Sequence, residues 1–510
     1  MFDQIKKVLI GIFFSIATIY VWGSNIPTSN QVGAMSLPTE IAPIQAPFAM
    51  PQLVRPTFPD RTLNIAKKGA KLGKSSTNII QKAIDDLSRK GGGTVIIPPG
   101  KWQTGRIILK SNINLHLEKG AELHFSGEIK DYLPVVLTRN EGVELYSLGA
   151  LIYANQADNI ALTGEGKLFG PSKECEIYRL QMRDKVIEEF INNGHSVEER
   201  VYDGKDNKPV FLPMFFSPIY CTNVLVEGVT FEETIFWNVV PVYCDRVIIR
   251  GITVNSVGTP RGDGIDIDSS RNVLIEYSTL DCGDDCFTIK SGRGDDGIRV
   301  NKPSENIVIR YCLAKRGPGG VTCGSETAGM IRNLYVHDCV FENTHNGFYF
   351  KTRRSRAGGG ENLYFERIRL VSPSVVFRWD MLGSTRYVGD LAKRLPALPI
   401  GPLTPVYHHI SIKDVIVENC QRLIDATGIP ESPLSEVSIN GLNAKCKDLI
   451  RIQDVDGLVI VNSSIQTEDA KVSVVDGRNI MLINVKLDIP GGTLQAEYSG
   501  ELSCPIMYNR

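Results

Sequence analysis

The stretches NVLVEGVTF (Asn223–Phe231), RVIIRGITV (Arg246–Val254), NVLIEYSTL (Asn272–Leu280) and NIVIRYCLA (Asn306–Ala314) share one shape: a polar residue, alternating aliphatic residues, then a turn-forming one. The shape returns as NLYVHDCVF from Asn333, NLYFERIRL from Asn362, HISIKDVIV from His409, EVSINGLNA from Glu436, GLVIVNSSI from Gly457 and NIMLINVKL from Asn479, with an earlier copy, NIALTGEGK, at Asn159. From Asn223 onward the starts lie 21 to 34 residues apart, except for one gap of 47 before His409. Alternation at period two without helical spacing marks strands. One such unit cannot bury its apolar face alone, so each turn of chain must stack on the last. The expected fold is all-β, a parallel β-helix of about ten or more rungs. A propeller needs about 40 residues or more per repeat, which these spacings do not meet.

Working outward, the 510 residues would suggest three or four domains of about 150 residues, but the repeat gathers 61–510 into a single β-helix domain. Hydrophobic residues make up 42%, enough for a large core, and a net charge of −1 removes the field with which a nucleic-acid binder collects phosphates. Lys6 and Lys7 precede the apolar run Val8–Trp22 and the small Gly23 and Ser24, the layout of a signal peptide over 1–24. A secreted or periplasmic protein is expected, with no membrane contact after cleavage. Residues 25–60 are Pro-rich and read as an irregular lead-in. The eleven Cys include no metal-like CxxC pair and read as small buried hydrophobes, although Cys282 and Cys286 are close enough in sequence to pair. No His stands in a motif position and no phosphate loop precedes a helix, so no cofactor and no metal are expected. A monomer is expected.

Three segments interrupt the repeats. Thr77 could cap a helix over Asn78–Lys90 that covers the open front end of the core. Residues 172–212 carry a helical stretch, IYRLQMRDKVIEEFINN, and 371–408 contain Trp379, Asp380 and a Pro-rich run. Long insertions in a compact domain are usually functional, and the latter two read as walls of a cleft.

Acidic residues concentrate in PRGDGIDIDSS (Pro260–Ser270) and DCGDDCFTIKSG (Asp281–Gly292). Asp263 and Asp284 lie 21 residues apart, about one turn of the repeat, so they stand on neighbouring rungs with Asp285 beside them. Splitting a glycosidic bond needs an acid for the leaving oxygen and a carboxylate on the other face, roughly 6.5–9.5 Å apart when water attacks with inversion. Crowded carboxylates raise the pKa of one member and supply that acid. Asp266, Asp268, Asp295 and Asp296 read instead as solvated or turn-forming residues.

These residues resemble the polygalacturonase family of glycoside hydrolases, family 28. The resemblance runs from about Ile65 to the last rungs, through GGGTVIIPPGKWQTGRIILKSNINLHLEKGAELHFS, VEERVY, FWNVVPVYC, DGIDIDSSRNVLIE, GDDCFTIKSGR, GGVTCGSE and FKT. It implies a right-handed β-helix and inverting hydrolysis of pectic carbohydrate, with Asp284 as general acid and Asp263 and Asp285 activating water. The family's Asn-Thr-Asp reads Arg261-Gly262-Asp263 here, and its Gly-Asp-Asp is intact. Its Gly-His-Gly reads Gly317-Pro318-Gly319, and its Arg-Ile-Lys reads Tyr349-Phe350-Lys351, so a His and an Arg are missing. Lys351 remains to meet a substrate carboxylate, with Tyr349 beside it. Arg261, Arg316, Arg353, Arg354 and Arg356 are candidates to take over the missing guanidinium, since a bidentate contact to a carboxylate outweighs a neutral one. Trp237 and Asn238 lie near the expected cleft. The 172–212 insertion is similar to that of exo-acting branches, which trim chain ends. Two other readings stay open: a carbohydrate-binding β-helix that has lost catalysis, suggested by Pro318 and Tyr349, and a Ca²⁺-dependent pectate lyase, which also uses Asp-rich faces.

Overall fold

The computed structural model describes residues 26–183 and 186–509; the signal region 1–24 lies outside the described residues. The quoted repeats are strands, and they pair in parallel one turn after another. One inward ladder runs Leu162–Val226–Ile249–Ile275–Ile309–Val336–Phe365–Ile412–Ile439–Ile460–Leu482. A second passes Ile152–Phe216–Val239–Ile265–Phe287–Val321–Phe348–Phe377–Ile424. A third passes Leu168–Phe231–Val254–Leu280–Ala314, and Phe341 continues it through Leu370 and Val417. Three faces thus enclose one core, a parallel β-helix in which period-two alternation puts every second side chain inside. The antiparallel pair Val136–Asn140 and Val143–Ser147 departs from this pattern.

Each turn onto the first face is made by the polar residue that opens the repeat. Asn223, Asn272, Asn306, Asn333, Asn362 and Asn479 have φ between 52° and 56°, the left-handed region in which Asn is favoured among non-glycine residues. Their amides link rung to rung: Asn306 Nδ2 donates to Asn272 Oδ1 at 3.2 Å, and Asn333 Nδ2 donates to Asn306 Oδ1 at 3.0 Å.

The irregular segment before residue 60 straps the outside of this face. Leu53, with Ile41, Ile44, Phe48, Met50 and Phe58, packs on an outward apolar row, Ala161, Leu225, Ile248, Leu274, Val308 and Tyr335. Next to that row, Glu227, Arg250, Glu276, Arg310, His337 and Glu366 occupy successive rungs. Glu276 is buried between Arg250 at 2.9 Å and Arg310 at 2.8 Å. The strap adds acceptors for both arginines: Arg250 donates to the Pro38 carbonyl and Arg310 to those of Ala42 and Pro43.

The interruptions differ from expectation in detail. The front helix spans Thr77–Arg89 and buries Ile80, Ala83, Ile84 and Leu87. Its N-cap position is Ser76 rather than Thr77, whose hydroxyl instead accepts from Gly105 N at 2.7 Å. The helical stretch of 172–212 breaks into Glu176–Arg179 and Val186–Asn193, because Gln181 between them bridges to Val210. The later excursion starts after Asp380, since Val375–Asp380 is a regular rung strand with Trp379 in the core. All eleven thiols are free, Cys282 and Cys286 included. Among the described residues, no helix is long and apolar enough to cross a membrane.

Candidate active site

The second face carries the acidic motifs on its outer side. Pairing of Ile265 with Phe287 sets Asp263 level with Asp285 and leaves Asp284 one residue earlier, on the diagonal. The backbone fixes these positions: Gly264 N donates to the Asp285 carbonyl at 2.9 Å, and Asn238 donates to the Asp263 carbonyl from both N, at 3.1 Å, and Nδ2, at 2.8 Å. One carboxylate oxygen from each of Asp263, Asp284 and Asp285 lies within 4.8 Å of the others. That convergence is tighter than the separation expected from the sequence, because the diagonal offset is a single residue. Asp263 and Asp285 are 3% and 1% exposed, whereas Asp284 is partly open to solvent.

Two lysines neutralise the cluster. Lys351 Nζ donates to Asp285 Oδ2 at 2.7 Å. Burial opposes its charge, but Asp285 and Tyr349 hold its pKa above the ordinary value. Lys290, buried at 4% exposure, sits 3.7 Å from Asp263, 3.5 Å from Asp266 and 3.5 Å from Glu326, with Nζ 4.5 Å from the centre of the Trp237 ring. Burial, then the neighbouring Asp266 and Asp284, drive the Asp263 carboxyl well above the usual range. Burial and Asp285 raise Asp284 as well. Burial pushes Asp266 up to about 7, against the pull of Lys290.

The other expected residues distribute around this centre. Trp237 is 4% exposed and stacks on Phe236, so its ring is largely covered. Tyr349 lies in the outward column Asp266–Thr288–Thr322–Tyr349–Arg378, with Lys351 Nζ 4.9 Å from its ring centre. Arg261 reaches the walls, 3.3 Å from Glu141 and 3.1 Å from Gln181. Arg353 stacks over Tyr387 of the later excursion at 4.4 Å, while its Nε and Nη1 are buried without a hydrogen-bond partner. The remaining arginines are engaged: Arg316 grips Asp281, Arg354 grips Glu431, and Arg356 donates to Glu326. Pro318 contributes its carbonyl, which accepts from Asn346 Nδ2 at 2.8 Å.

Several residues were read differently from the sequence. Asp266 and Asp268 do not solvate the face; both are fully buried, and Asp268 pairs with buried Arg139 at 2.8 Å. Asp296 sits in a helix, Gly294–Val300, and pairs with Arg200 at 2.9 Å. The hairpin at 136–147 covers Asp268 through Arg139, and the 172–212 insertion covers Asp296 through Arg200. Lys290 and Glu326 were not singled out, although both lie within the quoted motifs.

Residues 192–376 match the family described as Glycosyl hydrolases family 28. The chain is 27% identical over 400 residues, 75% of its own length and 74% of the relative's, to a probable polygalacturonase of Vitis vinifera. It is 24% identical over 452 residues, 83% of this chain and 69% of the relative, to an exo-poly-alpha-D-galacturonosidase of Dickeya chrysanthemi. The crystal structure of a hyperthermoactive exopolygalacturonase from Thermotoga maritima superposes with a TM-score of 0.67 and 30% identity, covering 90% of this chain and 94% of that one.

Proposed function

From the premise that the chain belongs to glycosyl hydrolase family 28, and so is a hydrolase of O-glycosidic bonds, we propose that it cleaves pectic polysaccharide or oligosaccharide of the galacturonan or rhamnogalacturonan type from the chain end, with inversion. The observation that carries the hydrolase reading is the convergence of Asp263, Asp284 and Asp285 within 4.8 Å on one outward face, while inversion rests on the resemblance to the family. Asp284, the most exposed of the three and raised by burial and Asp285, serves as the acid that protonates the leaving oxygen. Asp263 and Asp285 lie too deep to bond a sugar carbon themselves, and a water above them supplies the nucleophile. Lys351 donates to Asp285 Oδ2 and faces the substrate beside Tyr349 and Asn238. Arg353, whose buried donors lack partners, replaces the missing family Arg as anchor for a substrate carboxylate. Trp237 positions Lys290 beneath the site, and Arg261 ties the cleft floor to its walls.

Support for end-wise action comes from the exo-acting relatives, together with walls that rise from 172–212 and 381–405 on the site's face. Export to the periplasm or medium rests on the layout of residues 1–24, and the remaining chain is read as one monomeric right-handed β-helix domain with Thr77–Arg89 closing its front.

Incubating the purified protein with oligogalacturonides should release monomer or short product whose first-formed anomer, seen by NMR, is inverted. Asp284→Asn should lower the rate by about 10²–10⁴-fold. A full rate in that variant would refute the acid assignment, and binding without any released sugar would favour the non-catalytic reading.

A further inference from the structure

Far from the carboxylate cluster, the asparagine ladder of the first face changes chemistry. After Asn362 the next two positions are His409 and Glu436, and the ladder then continues through Gly457 to Asn479. The change comes where the chain returns to the β-helix after the excursion at 381–405. Glu361 pairs in register with His408, and the Ile410–Val437 pairing sets His409 beside Glu436. Adjacent residues of a strand normally point to opposite sides. His409 has φ 53° and escapes that rule, so the two imidazoles come together with ring centres 4.5 Å apart.

Their nitrogens are not equivalent. His409 Nε2 lies 2.5 Å from Glu436 Oε2, and His408 Nε2 lies 3.5 Å from Glu361 Oε2. A carboxylate accepts only, so a neutral ring with its proton on Nε2 would turn that N–H toward its carboxylate. The two Nδ1 atoms, which are in direct contact, then present lone pairs to each other. Two acceptors in contact repel unless a proton or a metal cation lies between them. Carboxylates that hold the outer N–H while the inner nitrogen binds a metal are the usual support of a ligating histidine.

We propose that His408 and His409 bind one borderline divalent transition-metal ion, of the Zn²⁺ type, through their Nδ1 atoms, with Glu361 and Glu436 as the positioning carboxylates. Imidazole donors favour this class of ion over Mg²⁺ or Ca²⁺, which take oxygen ligands. A tetrahedral zinc holds nitrogen donors roughly 3.3 Å apart. The half-exposed His409 ring, at 57%, has room to swing to that spacing. Water completes the coordination. Through Glu361 and Glu436 the site spans three consecutive rungs at the point where the longest gap between repeats ends.

Titrating the metal-free full chain with Zn²⁺ by calorimetry should show one saturable ion per chain and a higher melting temperature when it is bound. His409→Ala should abolish the uptake, and Glu436→Gln, which removes only the outer support, should weaken it by about 10–100-fold. Uptake should persist in Asp284→Asn, which separates this site from the carboxylate cluster. Should a histidine variant fold poorly, Cu²⁺ bound to the unmodified chain should show coupling to two imidazole nitrogens by electron paramagnetic resonance. No stoichiometric uptake, uptake unchanged in His409→Ala, or a copper signal without nitrogen coupling would each overturn the proposal.

Discussion

Asp266 has neither carboxylate oxygen hydrogen-bonded and is fully buried, with Lys290 at 3.5 Å offsetting part of its charge. Its carboxyl is pushed up to about 7, against roughly 3.9 in an unfolded chain. Between about pH 4 and 7 the folded protein therefore holds a proton that the unfolded chain has released. Stability falls as pH rises through this window, by up to about 1.4 kcal/mol per pH unit. Asp266→Asn removes that cost while keeping the shape. Denaturant midpoints measured across the window should lose slope, and the variant should be the more stable protein at pH 7. At this scale the sequence is a partial guide. It located Asp263, Asp284 and Asp285 through a spacing close to one rung, yet it could not reveal that Asp268 meets Arg139 from 129 residues away. No local pattern encodes a partner delivered by a separate hairpin.

Among the elements, the polar residue that starts each strand is the most regular device. Asn306 combines a left-handed turn, φ 56°, with hydrogen bonds to the rungs on both sides. Alanine there would lose both bonds, at about 1 kcal/mol each, and would pay about 1–2 kcal/mol for the left-handed backbone. Asn306→Ala should thus cost about 3–4 kcal/mol and Asn306→Gly only about 2 kcal/mol, since glycine adopts that conformation freely. Thermal melting of the two variants tests the ordering. The strands themselves were legible because alternation and turn residue coincide in every repeat. The later excursion was misplaced by several residues because Val375–Asp380 lacks an opening Asn and its apolar run reads as part of a loop. The alternating Glu and Arg at the fifth residue of successive repeats stood in the quoted stretches as well. Its meaning depends on the strap that covers it, which has no periodic signature.

Over the whole molecule, the strap at 26–60 makes the outer apolar row compatible with water. Leu53 is 2% exposed at its centre, beside Arg55, whose side chain is 39% exposed. Leu53→Ala should cost about 2–3 kcal/mol locally and free the strap without melting the rungs. Faster chymotryptic cleavage after Phe48, which packs in the same strap, with the main melting transition unchanged, is the expected signature. The same strap sets an order of events during synthesis. Its first described residues, Ile26 and Pro27, accept hydrogen bonds from Arg369, 342 residues later for the Pro27 contact. At about 5–20 residues per second, roughly 15–70 seconds separate the making of the two ends. The first residues of the strap, which leave the ribosome early, are therefore among the last to dock. Until residues 41–58 of the strap pack on it, the outer row of Leu225, Ile248, Leu274 and Val308 stays uncovered on a nascent chain, an interval in which chaperones or neighbouring chains can reach it.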